Sequence, residues 1–426
     1  MVKLAVVGAG IGGCSAAYFA HNYLPGSKVT VYEKGKRVGG RVYTFNNKGT
    51  KIELGAEFFN SNNRIVSGLV KEMGLEAKKL EEANDIAVWN GNEIVFRSNH
   101  TMFYTMLKLL GKYKLSGPRL LLKIREVEGK VKQLYENKEP TEFSALFEKV
   151  GLDKWYKHSF DQILVESGID RKYIDEMITP ITRIIYSQNA ELGGFAGVTS
   201  LLGISGEAIY SLKDGNDILP RRLVEASGAS VELETKVDNV ERLPDGTFRL
   251  SMGGRSSVFD AVVVAAPLEG ADISFEGIKK QEKMEKREFQ KIYIRLMKGT
   301  VDFEYFNLEP SSGLPSIILT SKEADPITRF SISESTEDES WVAMTSTEHI
   351  GDEIVDELFK GDGQTVFDYS AYSAYPIFEP IESIPNTVLD KGLLYVNAIE
   401  SAASSLESST FAALNSIKAI KEQLKL

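Results

Sequence analysis

The chain has 426 residues, which is enough for two or three domains with substantial cores. Apolar residues make up 42% and charged residues 26%, a globular composition, and the formal net charge of -10 argues against a general nucleic-acid binder. The one cysteine excludes an internal disulfide, and four histidines argue against a zinc site. Because the chain opens without a signal-peptide pattern, we expect a cytoplasmic location; a lysosomal one would require a leader that has been removed.

The first predicted element is an apolar strand, followed by a glycine turn and a helix of small residues. Gly8, Gly10 and Gly13 in "VVGAGIGGCSAAYF" fill the positions of a dinucleotide-binding fingerprint. A second strand, "KVTVYE", ends in Glu33, where an acid is expected to bind ribose hydroxyls and to disfavour a 2'-phosphate. The alternative for each glycine is an ordinary tight turn. The order strand, turn, helix, strand and acid favours dinucleotide binding, at the helix N-terminus.

The next segment distinguishes between dinucleotides. "EKGKRVGGRVYTF" places Gly40 and Arg41 just after the acid, and Arg41 is suited to neutralising diphosphate oxygens. With "IELGAEFF", which contains Gly55 and Ala56, this run resembles the FAD-binding segment of amine-oxidase-like flavoproteins. The resemblance implies FAD rather than a nicotinamide cofactor.

Two later segments fit the same superfamily. "VELETKVDNV" (231–240) is interpreted as a strand that brings Val237 to the adenine, and "FDAVVVAAPL" (259–268) as a buried strand that returns to the FAD domain. We therefore expect an α/β fold with a Rossmann-type (GR2-like) FAD-binding domain and a discontinuous mixed α+β substrate domain. The predicted boundaries are 1–75, 205–270 and 388–426 for the FAD-binding domain, and 76–204 and 271–387 for the substrate domain.

A more specific resemblance lies in the middle of the chain. "YIDEMITPITRIIYSQNAELGGFAGVTSL" (173–201) is similar to a signature of the prenylcysteine oxidases, also called prenylcysteine lyases, and "LYVNAIESAASSLESSTFAALN" is similar to their C-terminal segment. Two positions depart from that pattern, because Ser187 stands where the family has glycine and Ser401 where it has cysteine.

The resemblance implies an FAD-dependent thioether oxidase. Such an enzyme oxidises the C1 carbon of farnesyl- or geranylgeranyl-cysteine and releases a prenyl aldehyde, free cysteine and hydrogen peroxide, with oxygen as electron acceptor. In this interpretation Arg183 binds the substrate carboxylate and Tyr186 faces the flavin or orients the amino group. The alternatives are an ion pair of Arg183 with Glu176 or Asp175, and a core role for Tyr186. No metal is required.

The C-terminal segment is expected to approach the isoalloxazine ring. "LLYVNA" is interpreted as the last strand, residues 400–405 as a turn, and the remainder as a helix that begins near Leu406. Small residues and the positive helix end would then lie beside the flavin, together with Glu400.

Three questions remain open: the substrate, whether the chain is catalytic, and the role of one basic stretch. The enzyme could act on another substrate, such as an amine, a porphyrinogen or a carotenoid, or the chain could be a non-catalytic prenyl-binding chaperone of the Rab-escort type. The basic, apolar stretch 102–132 either docks on an anionic membrane surface or forms surface helices with a solvated face. The sequence does not indicate an oligomeric state.

Overall fold

The secondary structure alternates between strands and helices along the whole computed structural model, which describes residues 1–47, 50–80, 85–98, 110–204, 208–278, 286–334, 339–371 and 373–426. The strands are β1 Lys3–Val7, β2 Lys28–Tyr32, β3 Thr44–Asn47, β4 Thr50–Glu53, β5 Phe59–Asn60, β6 Ala77–Lys79, β7 Ile86–Trp89, β8 Ile94–Arg97, β9 Ile209–Leu212, β10 Ser230–Glu232, β11 Asn239–Arg242, β12 Phe248–Met252, β13 Arg255–Phe259, β14 Ala261–Val264, β15 Ser274–Glu276, β16 Ile292–Gly299, β17 Ile317–Thr320, β18 Ile327–Glu334, β19 Ser340–Ser346, β20 Gln364–Ala371, β21 Val388–Asp390 and β22 Leu393–Tyr395.

The α-helices are α1 Ile11–Tyr23, α2 Arg64–Glu72, α3 Ser116–Glu136, α4 Phe143–Val150, α5 Asp153–Lys157, α6 Phe160–Glu166, α7 Arg171–Tyr173, α8 Thr179–Tyr186, α9 Gly194–Ile204, α10 Ile218–Ser227, α11 Leu268–Ala271, α12 Asp352–Leu358 and α13 Leu406–Gln423. Short 3-10 helices span Phe303–Phe306, Pro310–Ser312, Lys322–Ala324 and Val396–Ser401, and a π-helical turn spans Ile174–Ile178. Among the described residues, no helix combines the length and apolar character needed to cross a bilayer.

The first sheet has six strands in the order β10-β2-β1-β14-β22-β21. Five of them are parallel, and β21 pairs antiparallel with β22 at one edge. The strand β14 reads "AVVV" and is buried throughout, as expected for a parallel sheet covered on both faces. The chain segments that form this sheet are distant in sequence, so the Rossmann-type unit is discontinuous, as expected.

Different layers cover the two faces of this sheet. On one face, α1 packs against α10 and α13, and the contact between α1 and α13 is made largely by alanine and serine. On the other face lies a four-stranded sheet in the order β13-β12-β11-β15, whose Val240, Phe248 and Leu250 form a core with Val262 and Val264. The resulting three layers hold the carboxyl ends of β1, β2 and β14 in fixed positions.

A seven-stranded sheet forms a second unit, in the order β20-β16-β19-β18-β17-β7-β8. A group of helices packs beside it around Phe147, Trp155 and Phe160, which are fully buried. Helix α9 approaches α6 closely because Gly197 carries no side chain; a Cβ there would lie 2.2 Å from the Phe160 ring. Helix α8 contacts β17 and β18 and so joins the helical group to the sheet.

Two expected elements differ from the observed ones. Residues 231–240 are not one strand, because β10 ends at Glu232 and β11 begins at Asn239, and the loop between them contains Glu234 in a left-handed conformation with φ 51°. The last parallel strand ends at Tyr395, so the residues of "LLYVNA" after it begin a 3-10 helix. The part of the basic stretch 102–132 that precedes residue 110 lies outside the described residues.

Candidate active site

A cavity of about 480 Å³ opens at the carboxyl ends of β1, β2 and β14, and we call it the sheet-edge cavity. Ligands of open α/β sheets bind in this crevice, where the strand order reverses. The walls come from the turns that follow these strands, from the loop between β10 and β11, and from the start of α1. The cavity therefore lies where the glycine fingerprint predicts a dinucleotide.

Glycine is favoured at each of the three fingerprint positions for a different structural reason. Gly8 has φ +102°, and a Cβ there would lie 2.7 Å from the carbonyl oxygen of Ala265. A Cβ on Gly13 would lie 1.9 Å from the carbonyl oxygen of Gly8, so helix and strand could not pack as they do. Around Gly10 no described atom lies within 4 Å of the Cβ position, which leaves room for a ligand at the helix N-terminus.

Glu33 and Val237, which the sequence also predicts to bind the cofactor, line this cavity. The Glu33 carboxylate accepts hydrogen bonds from the backbone N–H of Ala9 (2.8 Å) and Gly35 (2.7 Å), and each oxygen retains capacity for a further donor. Val237 lines the same cavity from the loop between β10 and β11. Cys14 is buried beneath it, and burial together with Glu33 raises the pKa of its thiol, so Cys14 serves packing rather than chemistry.

Arg41 lies where the sheet-edge cavity meets a second cavity. The two cavities adjoin, because both are lined by Ile11, Arg41, Val42 and Ser409. The Arg41 guanidinium donates to the carboxylate of Glu400, which is 1% exposed, and to the carbonyl oxygen of Ala374 (3.2 Å). This ion pair ties the turn after β2 to the C-terminal segment.

One of two buried acceptors near this junction favours a ligand rich in hydroxyl and N–H groups. The second carboxylate oxygen of Glu400 and Oδ1 of Asn397 are buried and find no hydrogen-bond partner among the described residues. Asn397 lines the sheet-edge cavity, whereas Glu400 lies behind Arg41 and lines neither cavity. A buried acceptor without a donor is costly, so Asn397 fits a bound group that supplies donors, as the ribityl chain and ring of a flavin dinucleotide would.

The second cavity, of about 370 Å³, lies between the first sheet and the seven-stranded sheet, and we call it the central cavity. Its walls are mostly apolar, which is typical of a site that holds a hydrophobic ligand. On the side of the first sheet it is lined by the loop 54–58 and the segment 403–409. Opposite these are side chains of the seven-stranded sheet and of the helices: Val131, Tyr135, Phe147, Ile184, Ile185, Tyr186, Phe195, Leu202, Ile292, Ile294, Thr328, Arg329, Thr345, Tyr369 and Tyr375.

The start of α13 forms one wall of the central cavity. Ser405 and Ser408 form a reciprocal capping box, and Leu406 is the first helical residue, as the sequence predicts. Glu407 is held by the backbone N–H groups of Ile65 and Val66, both at 2.9 Å, at the start of α2. Burial raises the pKa of Glu407 despite these donors. The wall is thus rigid, with the positive end of the helix directed toward the cavity.

Gly55 and Ala56 lie on the neighbouring wall. A Cβ on Gly55 would lie 1.9 Å from the carbonyl oxygen of Arg41, so two backbone segments touch here. The Asn216 amide donates to the carbonyl oxygens of Ala56 and Glu57, both at 2.8 Å, and holds the loop in place. The predicted approach segment therefore lines the central cavity, although Asn216 had no recognisable signal in the sequence.

Tyr186 lines the central cavity. Its hydroxyl donates to the carbonyl oxygen of Ser404 (2.8 Å), and its ring packs edge-on against Tyr375 and Phe378. Burial raises the pKa of Tyr186 and of Tyr375, so both phenols stay neutral and act as donors. Tyr186 is therefore a core aromatic that also lines the central cavity, and its expected contact with the flavin or the substrate amino group stays a prediction.

The backbone conformation of Ser187 explains why the family that this chain resembles has glycine at this position. It has φ 49°, a left-handed conformation that favours glycine at a helix end. Its hydroxyl accepts a hydrogen bond from Tyr375 (3.2 Å) and lies 3.4 Å from the hydroxyl of Thr328. Serine therefore lacks the conformational freedom that glycine has in this left-handed position, but it provides a hydrogen bond that positions Tyr375.

Arg183 does not lie where the resemblance suggested. Its side chain is 2% exposed and does not line the central cavity. The guanidinium donates to Asp325 (2.6 Å), Asn189 (2.9 Å) and the carbonyl oxygen of Ile327 (2.8 Å). The expected contact with a substrate carboxylate is therefore replaced by a structural role. The alternative pairing with nearby acids was also wrong, because the partner comes from the loop before β18.

A different arginine lines the central cavity. Arg329 on β18 forms a bidentate pair with Glu57, with both N–O distances at 2.8 Å. Burial lowers the pKa of Arg329, but the facing Glu57 carboxylate outweighs it, so the net pKa is raised. The one available sequence signal was an arginine inside the alternating strand "ITRFSISE". The segment that pairs with it is far away in the chain.

The comparisons with known proteins agree with this architecture. The profile of the prenylcysteine lyase family matches residues 96–425, and that of an NAD(P)-binding Rossmann-like domain matches residues 6–73. The chain is 30% identical to a farnesylcysteine lyase of Arabidopsis thaliana over 96% of this chain and 86% of that protein. It is 26% identical to prenylcysteine oxidase 1 of Homo sapiens over 97% of this chain and 87% of that protein.

Solved structures share the fold at lower identity. A putrescine oxidase double mutant superposes with a TM-score of 0.71 at 16% identity, covering 99% of both chains. Cyclohexylamine oxidase from Brevibacterium oxydans gives a TM-score of 0.67 at 16% identity, covering 100% of both chains. Since the family profile covers most of the chain and both cavities are formed, the chain belongs to the prenylcysteine lyase family of oxidoreductases.

Proposed function

We propose that this protein is an FAD-dependent thioether oxidase that acts on farnesyl- or geranylgeranyl-cysteine. The balanced reaction consumes one thioether, one oxygen molecule and one water, and it yields one prenyl aldehyde, one free cysteine and one hydrogen peroxide. The two electrons lost by the C1 carbon pass to oxygen, and water supplies the aldehyde oxygen. When bound, FAD supplies the hydride acceptor for this chemistry.

The observation that carries this proposal is that the dinucleotide cavity adjoins an apolar one. The sheet-edge cavity suits the adenine and diphosphate end of FAD, and the residues shared by both cavities suit its ribityl and ring portion. The central cavity then begins beside the ring and is walled mainly by apolar side chains. An isoprenoid needs such a wall, whereas a small amine does not.

The chain's own residues bind, orient and exclude water. Arg41 is available to the diphosphate or ring while Glu400 holds it in place. Tyr186 holds the carbonyl of Ser404, and so the start of α13, against the central cavity. The positive helix end there stabilises negative charge that develops beside it. No strong base is needed, because removal of a hydride leaves a carbon cation stabilised by sulfur.

Oxidation assays separate this proposal from its rivals. Purified protein should show flavin absorbance and, with farnesylcysteine in air, should release peroxide and cysteine in equal amounts. Putrescine and cyclohexylamine, the substrates named for the structural relatives, serve as competitors. Oxidation of an amine with no turnover of either prenylcysteine would contradict the proposal. A colourless protein that takes up no FAD would instead support a non-catalytic prenyl carrier.

We also propose that the protein contacts an anionic membrane through the surface formed by residues 110–125. Leu115, Leu121 and Leu122 are 58%, 57% and 66% exposed, which is unusual for side chains of this size in a folded protein. Exposed Lys114 and Arg125 lie beside them. Exposed leucines with basic neighbours suit the interface of an anionic bilayer. Further along α3, Val131, Lys132 and Tyr135 line the central cavity, so a docked helix would bring its opening toward the lipid.

Vesicle binding tests the membrane contact. The protein should co-sediment with vesicles containing phosphatidylserine but only weakly with neutral phosphatidylcholine vesicles, and added salt should weaken the binding. The double substitution Leu121→Ser and Leu122→Ser should reduce the bound fraction severalfold. The control is Val258→Ser, which changes a single exposed apolar residue on β13, outside the proposed membrane surface. Equal negligible binding to both vesicle types would mean that α3 has an ordinary solvated face.

A further inference from the structure

The pair formed by Glu57 and Arg329 spans the central cavity. Glu57 belongs to the loop that follows β4 on the side of the first sheet, and Arg329 belongs to β18 of the seven-stranded sheet. Both residues line the cavity, with side chains 34% and 14% exposed. Other charged side chains line the same cavity, among them Arg41 and Glu407, but Glu57 and Arg329 form a bidentate ion pair within it, and such a pair is expensive to bury.

The Arg329 guanidinium has one edge that is not fully used. Its two terminal nitrogens donate end-on to the Glu57 oxygens. The side edge, formed by Nε and Nη2, has only a 3.5 Å contact from Nη2 to the hydroxyl of Thr345, and Nε is buried without a partner among the described residues, which is costly for a donor. A planar N–H edge of this kind matches a carboxylate in a bidentate arrangement.

Glu57 offers the complementary charge. Each of its oxygens accepts one hydrogen bond from Arg329 and retains a second acceptor site. The side chain is the more exposed member of the pair, so a cation can approach it from the cavity. The pair thus presents an anion-binding edge and a cation-binding oxygen side by side, the arrangement that complements an α-amino acid zwitterion.

We propose that Glu57 and Arg329 bind the cysteine head group of the substrate, with Arg329 holding its carboxylate and Glu57 its ammonium group. This inference rests on the proposed function and adds the residues that set its specificity. The polar pair fixes the amino-acid end and the apolar wall holds the prenyl chain. The C1 carbon, which lies between them, is thereby positioned at one point of the cavity.

Head-group analogues test the assignment. The wild-type protein is assayed with S-farnesylcysteine, with S-farnesylcysteamine, which lacks the carboxylate, and with S-farnesyl-3-mercaptopropionate, which lacks the ammonium group. Loss of either charged contact should lower kcat/KM about 10- to 100-fold. The substitution Arg329→Gln should lower kcat/KM for farnesylcysteine and abolish the preference over farnesylcysteamine. Glu57→Gln should abolish the preference over the mercaptopropionate.

Arg183→Gln is the control, because Arg183 is also an arginine held in an ion pair but does not line the cavity. It should reduce stability but leave the substrate ratios unchanged. If Arg329→Gln does not fold with bound flavin, Arg329→Lys takes its place, because lysine keeps the positive charge but lacks the planar edge. The ratio of kcat/KM for farnesylcysteine to that for farnesylcysteamine is then measured on Arg329→Lys. Equal kcat/KM of the wild type for farnesylcysteine and farnesylcysteamine would overturn the inference alone. Silence toward all three thioethers would overturn the proposed function as well.

Discussion

The sheet-edge cavity and the central cavity differ in how the chain builds them. The sheet-edge cavity is formed largely by short local segments, such as the turn from Gly8 to Gly13 and the residues that follow β2. The central cavity is formed by side chains that meet only after folding, for example Glu57 with Arg329 and Tyr186 with Ser404. Dinucleotide binding relies on backbone shape and helix dipoles, so its pattern is local. Substrate binding relies on side chains brought together by packing, so the same fold accommodates different substrates.

The largest expected effect lies in the sheet-edge cavity. Gly13→Ala places a Cβ 1.9 Å from the carbonyl oxygen of Gly8, where backbone must move, so helix α1 cannot stay packed on the sheet. We expect loss of flavin and of most soluble folded protein, measured by absorbance and circular dichroism. Gly68→Ala in α2 is the control, because no described atom lies within 4 Å of its Cβ position. Normal flavin content in Gly13→Ala would contradict the role given to this glycine.

The junction of the two cavities should be the next most sensitive place. Arg41→Gln removes the hydrogen-bonded counter-ion of the buried Glu400 carboxylate, which we expect to lower the free energy of unfolding by about 3 kcal/mol and to weaken FAD retention. The double variant with Glu400→Gln should recover part of the stability, since neither charge is then unpaired. Arg222→Gln, in an exposed ion pair, is the surface control. Chemical denaturation and flavin release measure both effects, and additive losses would argue against the coupling.

In the central cavity a smaller effect is expected for one hydrogen bond. Tyr186→Phe removes the donor to the carbonyl oxygen of Ser404 and should cost about 1–2 kcal/mol of stability while lowering kcat severalfold. Tyr305→Phe is the comparison, because Tyr305 is an aromatic stacked on Trp89 away from the cavity. Steady-state kinetics with farnesylcysteine measure the difference. Equal kcat in both variants would mean that the start of α13 needs no such support.

The smallest expected effect is a dependence of the free energy of unfolding on pH that arises from Glu407. Burial raises the pKa of Glu407 in the folded protein, so the folded state binds its proton more tightly than the unfolded state does. Its contribution to stability is therefore full below the ordinary pKa of a glutamate and is lost as pH rises through the raised pKa. Unfolding of wild type and Glu407→Gln across pH 4 to 8, roughly the range from the ordinary pKa upward, should show a steeper loss of stability in the wild type, since the raised pKa of buried Glu53 contributes to both. Parallel curves would contradict the assignment.

Much of the fold could be predicted because its determinants are local. The glycine turn, Glu33 and the capped start of α13 at Leu406 all depend on neighbouring residues. The structure has the turn and the helix start where predicted, and Glu33 directly after β2 rather than as its last residue. The order of the first sheet also follows from a known arrangement of parallel strands. Even here the loop around Val237 was read as strand, since alternating residues also occur where a chain leaves a sheet.

The substrate wall could not be predicted, because arginines in one sequence look alike. Arg183 lies in the resembling signature but is enclosed by Asp325 and Asn189. Arg329 has no motif around it and lines the cavity because β18 points it inward beside Glu57. Which arginine faces the ligand depends on the register of β18 and on the path of a distant loop. Neither the register nor the path of the loop can be inferred from a short stretch of sequence.

The central claim is that electrons leave a prenyl thioether in a cavity that adjoins the bound dinucleotide. The most direct test mixes the FAD-loaded protein with farnesylcysteine in the absence of oxygen and follows flavin absorbance. The account predicts rapid bleaching with one prenyl aldehyde and one cysteine formed per flavin, and return of the colour with peroxide when oxygen is admitted. Unchanged absorbance with farnesylcysteine and geranylgeranylcysteine, together with bleaching by an amine, would contradict it.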